Sequence, residues 1–117
     1  MNYVDGYIVP VSNDKKDAYL ELAKVAAPIF KQNGAISVTE CWGDDVPDGE
    51  VTSFPMSVNL AANETVVFSW IVWPSKEIRD SGMKKAMEDE RFKRFEDNMP
   101  FDGKRMIFGG FQVVVDE

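Results

Sequence analysis

Val66-Val67-Phe68-Ser69-Trp70-Ile71-Val72-Trp73-Pro74-Ser75 is the stretch from which the architecture is read. It is rich in β-branched and aromatic residues, which favour a pleated strand, and Pro74 stops it. Ser75 then offers a cap for a following helix. Val66, Phe68, Trp70 and Val72 fall in one side-chain phase, and Val67, Ile71 and Trp73 in the other. A strand with one wet face alternates with polar residues; this one is apolar in both phases and is expected to be covered on both sides. A small domain covers one face with its own helices. The other face then calls for a second copy of the chain.

Working back from that strand, residues 3–11 read as a first strand with Asp5 as its one charged residue. Ser12 and Asn13 are cap candidates for a helix whose stripe is Tyr19, Leu22, Ala23, Ala26 and Phe30. Gly34 suits the left-handed position that ends it, and Pro28 is expected to kink it. Residues 35–42 read as a second strand, followed by an acidic loop over 43–50 and a short extended piece over 51–55. Beyond the central stretch, Ser75 opens a helix to about Asp89, in which Gly82 either weakens the helix or permits close packing. Residues 90–98 read as a further short helix and 104–115 as a last strand, with Gly109-Gly110 suggesting a bulge.

Strand, helix, strand, strand, helix, strand is the order of two βαβ units. Right-handed crossovers turn that order into a ferredoxin-like α+β fold: an antiparallel sheet, βαββαβ, with both helices on one face. The chain is expected to be one domain over residues 1–117, pairing with itself through the bare sheet face.

Composition narrows the partners. Apolar residues at 44% and charged residues at 28% describe a chain that folds rather than one that stays disordered. The formal net charge of −7 opposes binding to phosphate backbones or anionic lipid, so neither nucleic acid nor membrane is expected as a partner. No secretory leader is legible in Met1–Asp5, and Cys41 alone cannot form an internal disulfide, which suits a cytoplasmic setting. The chain has no histidine. A zinc site or the commonest haem ligation is therefore not expected, and neither metal nor cofactor is assigned. Acid–base chemistry would fall to a carboxylate, Tyr, Lys or Cys41.

Three residues stand out as site candidates. Asp5 lies within an apolar strand, where a carboxylate is either paired or tuned for a task, and Arg105 on the last strand is the partner that this topology suggests. Glu40 shares a phase with Trp42 and is either a base in a partly dry pocket or a solvated strand-end residue. Arg105 is either a bidentate anchor for an anionic ligand or a strand-edge charge that discourages aggregation. Asp44, Asp45, Asp48 and Glu50 lack the alternating spacing of an EF-hand and read as a solvated turn. Cys41 has no histidine to activate it and reads as a small half-buried hydrophobe. Trp70/Trp73 and Tyr3/Tyr7 read as core or interface packing, or as the walls of an aromatic pocket.

Five blocks carry a family resemblance: Met1–Tyr7, Glu40–Pro47, Val51–Pro55, Val67–Val72 and Met99–Met106. On these the chain resembles the YbaA-like proteins, a bacterial family of unknown function. The resemblance implies membership of the dimeric α/β-barrel superfamily, in which two ferredoxin-like sheets close into one barrel. That superfamily includes cofactor-free monooxygenases, haem-degrading enzymes, chlorite dismutases, lactone isomerases and ligand-sensing modules. It carries no established catalytic set to these positions. Two expectations follow: a cofactor-independent monooxygenase- or isomerase-like enzyme acting on a small apolar or aromatic compound, with a pocket at the sheet, or a non-catalytic module that binds a small ligand or another protein. A pocket holding Asp5 or Glu40 would favour the first, and a packed interior the second.

Overall fold

The computed structural model describes residues 1–117. Strands β1 (Tyr3–Ser12), β2 (Ser37–Trp42), β3 (Glu64–Trp73) and β4 (Ile107–Gln112) form one sheet in the order β2-β3-β1-β4. Every neighbouring pair is antiparallel, with Tyr3 opposite Trp73, Ser37 opposite Val72 and Tyr3 opposite Gln112. Helix α1 (Lys16–Gln32) and helix α3 (Lys76–Met87) provide the two crossovers, which makes the fold ferredoxin-like. None of the helices is long and apolar enough to cross a membrane.

Local chemistry explains the element ends. Ser75 accepts a hydrogen bond from the Ile78 amide at 3.2 Å and so caps α3. Gly34, at φ +112°, takes the chain out of α1, and the Ala35 amide returns to the Phe30 carbonyl at 3.0 Å. Ser12 does not cap α1: its hydroxyl donates to Asp14 at 2.6 Å, and a short 3-10 turn, Asn13–Lys15, comes first. Helix α1 continues through Pro28, which lies on its exposed side, where water can serve the carbonyl left without a partner.

Three sequence expectations need correction. Residues 51–55 are not simply extended, because Ser53 accepts from the Met56 amide at 3.1 Å and starts a one-turn helix, α2 (Phe54–Ser57), with Pro55 in its first turn. The last strand begins at Ile107 rather than 104, because Asp102 holds the chain in a turn through bonds from the Lys104 and Arg105 amides. Gly109-Gly110 makes no bulge, since the β1–β4 register runs unbroken from Tyr3↔Gln112 to Ile8↔Ile107.

The two faces of the sheet differ. Under α1 and α3 lie Val9, Val11, Val67, Ile71 and Trp73, all buried. On the opposite face Phe68, Ile107 and Phe111 remain 45%, 44% and 62% exposed. There α2 leans Phe54 onto Phe68, ring centroids 5.9 Å apart, and Phe68 tilts against Trp70 at 5.3 Å.

Candidate functional site

Two carboxylates point from the sheet toward the helices, and they are treated differently. Asp5, the third residue of β1, is 5% exposed. Arg79, in the first turns of α3, grips both of its oxygens: Nε donates at 3.0 and 3.1 Å, and Nη2 lies 2.9 Å from Oδ1. The Trp73 indole donates a further bond to Asp5 at 2.9 Å. The guanidinium also lies over the Tyr3 ring, 4.9 Å from its centroid. Hydrogen bonding to Asp5 holds the Arg79 pKa above its ordinary value. Gly110, opposite Asp5, leaves the space these groups occupy, because a Cβ there would sit 2.7 Å from Tyr3 Cε2. The ion pair joins β1, β3 and α3 into one structural clamp.

Glu40 has no such partner. It sits on the edge strand β2, an exposed residue whose carboxyl group reaches a side chain of α1. There Tyr19 Oη donates to it at 2.6 Å. No Lys or Arg lies within ion-pair distance of it. Burial pushes the Glu40 pKa above its usual value, and the Tyr19 bond only partly offsets that. Ser69 on β3 lies opposite Glu40 in register, and Tyr7 follows opposite Ser69 on β1. Burial raises the pKa of both Tyr19 and Tyr7, so both hydroxyls keep their protons at neutral pH.

This polar row lies between two apolar clusters of the core. Val9, Val11, Tyr19 and Val67 make one cluster, and Ile29, Phe30, Ile71 and Trp73 belong to the other. The trio of sequence candidates is thus dispersed. Asp5 and Glu40 lie on the same face, but Arg105 does not reach Asp5. Its guanidinium donates to Glu64 at 2.6 and 2.8 Å, to Asp102 at 2.9 Å and to the Asn59 carbonyl at 2.9 Å. Arg105 therefore ties the loop before β3 to the turn before β4. Trp42 shares the Glu40 face, as its phase implied, but its contact is Lys16, 4.9 Å from the ring centroid.

Trp70 and Trp73 point to opposite faces and share no pocket. No three His, Cys, Asp or Glu side chains converge on a point that would suit a metal ion. Cys41 is exposed, a correction to its reading as a half-buried hydrophobe. The sequence reading placed Tyr19 in the core stripe and passed over Arg79. For Tyr19 the available signal was a hydroxyl within a stripe otherwise made of Leu, Ala and Phe.

The face away from α1 and α3 carries a concavity of about 810 Å³ whose floor includes Val4, Ile8, Trp70, Val72, Ile107 and Phe111. Asp116 is the one charged residue along it.

A ferredoxin-like sheet with a bare apolar face and an unpaired inward carboxylate defines the class. The chain belongs to the family described as "Protein of unknown function (DUF1428)", whose model matches residues 2–103. It is 59% identical over 117 residues to "Uncharacterized protein YbaA" of Escherichia coli K12, covering 100% of both chains, and equally to the Shigella flexneri protein of that name. Among solved structures it is similar to a dimeric ferredoxin-like protein from an uncultured marine organism, with a TM-score of 0.65, 6% identity and 100% of both chains covered. It is also similar to Rv0793 from Mycobacterium tuberculosis, with a TM-score of 0.54, 8% identity and 99% and 98% of the two chains covered. At such identities the likeness concerns the fold alone.

Proposed function

We propose that the chain, built as one domain, acts as a homodimer closed through the sheet face away from α1 and α3, and that each copy acts on a small uncharged molecule at Glu40. The observation that carries the reading is the contrast between the two inward carboxylates. Asp5 is fully engaged by Arg79 and Trp73, whereas the Glu40 carboxylate has no cation and is bonded only by Tyr19. A partly buried carboxylate held without a cation costs stability, and that cost is commonest where the group has work to do. Dimerisation rests on the exposed aromatic face, on its near lack of charge, and on a similar fold described as dimeric.

A second reading is a non-catalytic module whose ligand occupies the open face. The volume of about 810 Å³ favours it, being within the range of small-molecule sites. Sedimentation and native mass spectrometry of protein purified from its own host separate the two. An empty dimer that Phe68→Glu converts to monomer supports closure through the face, since that substitution sets a charge against an apolar partner. A monomer carrying an organic mass that Phe68→Glu releases supports the open-face ligand instead.

A further inference from the structure

We propose that Gly6 and Gly109 form a socket for the Trp70 side chain of a second copy of the chain, so that two knobs and two sockets set the register of the homodimer. This deepens the closure through the face away from α1 and α3 and rests on it, independently of Glu40. The starting point is a pair of glycines that the single chain does not explain. Gly34 and Gly49 have positive φ, and at Gly43, Gly82 and Gly110 a Cβ would lie under 3.0 Å from other atoms of the chain. Gly6 and Gly109 have neither reason. Their φ is not positive, and a Cβ on them would meet only the Phe111 ring, at 3.7 and 3.5 Å, which is ordinary contact. Glycine inside a strand gives up backbone entropy and cross-strand packing, and here two stand directly opposite one another. Such a position is expected where something from outside comes close to the backbone.

The arrangement of the face points to a second copy. Thr39, Trp70, Gly6 and Gly109 form one row across β2, β3, β1 and β4. A half-buried indole therefore stands one strand away from the gap, with Phe68 tilted against it at 5.3 Å and the Phe111 ring walling the far side. The rows on either side, through Phe68 and Ile8 and through Val72 and Val4, hold no charged residue. For a chain of net charge −7, an uncharged patch is where two copies meet with least repulsion. A two-fold axis lying between the stacked faces and running along the strands, between β3 and β1, sets β3 of each copy over β1 of the other. It carries each Trp70 onto the glycines of the partner, so the same pair of features serves both copies. A large aromatic seated in a close-fitting gap is the kind of contact that dominates an interface.

The test is a double-substitution cycle on the full chain, with dimer dissociation followed by sedimentation equilibrium for wild type, Trp70→Ala, Gly6→Val and the two combined. Each single substitution is expected to weaken the dimer by about 30-fold or more, one by emptying the socket and the other by filling it. The combination is expected to be little weaker than the worse single variant, because both remove one contact. Gly109→Ala on the edge strand, with a Cβ that clears Phe111, carries the same cycle if Gly6→Val fails to fold. In wild type labelled with 5-fluorotryptophan, the ¹⁹F signal lost in Trp70→Phe should shift as dilution separates the copies. A dimer that Phe68→Glu dissociates, but in which the two single effects simply multiply, overturns the socket and leaves closure through the face standing. A wild type that stays monomeric overturns both. Release of a bound organic mass by Gly6→Val, with association unchanged, overturns the socket and assigns the gap to a small molecule.

Discussion

Asp5 and Glu40 show how little a residue type says until its neighbours are known. Removing the Asp5 carboxylate leaves a partly buried guanidinium and a buried indole donor short of a partner, so Asp5→Ala is expected to lower unfolding free energy by about 3 kcal/mol, measured by urea denaturation. A loss under about 1 kcal/mol would mean that the pair behaves like an exposed one. Glu40 predicts the opposite sign of effect. Burial raises its folded-state pKa above the ordinary value, so the folded chain holds that proton more tightly than the unfolded chain does. Its contribution is therefore most favourable below the unfolded value, near 4.5, and is lost as pH rises through the folded one. Glu64, held low by Arg105, contributes in the reverse direction, so only the difference between wild type and Glu40→Gln isolates Glu40. The stability gained on Glu40→Gln should grow with pH across that window; a pH-independent difference rules out the shift.

At the scale of elements, α3 depends on a residue that weakens helices. Gly82 faces the sheet, and a Cβ there would lie 2.6 Å from Trp73 Cζ3, with the Asn33 carbonyl closer still. Alanine gains about 1 kcal/mol of helix propensity but must displace a fully buried indole, an overpacking cost of about 1–3 kcal/mol. Gly82→Ala should therefore lower the melting temperature; an increase would show that α3 can lift from Trp73 without loss. The sequence left two readings of Gly82, and packing selects one. Regular elements were legible because their patterns repeat: both phases of β3 and the stripe of α1 were on view. Short pieces were not. Helix α2 is a single turn, too brief for periodicity, although Ser53 and Pro55 are its start signals. The start of β4 depends on a side chain, Asp102, accepting from the Lys104 amide two residues on.

For the molecule as a whole, strand order was legible because crossover handedness leaves few topologies. The side-chain partners were not. Asp5 and Arg79 stand 74 residues apart, and only the path of α3 across the sheet brings them together. Charge type alone allowed Arg105, which lies in the turn preceding the neighbouring strand and is occupied by Glu64. The same order bears on synthesis. β1 sits in the middle of the sheet between β3 and β4, yet it leaves the ribosome first. Its ladder partners begin at Glu64, so an apolar strand must wait unpaired while much of the chain is made. During that interval β1 is the segment most exposed to wrong pairing, including with the β1 of another nascent chain, and the one a chaperone would hold.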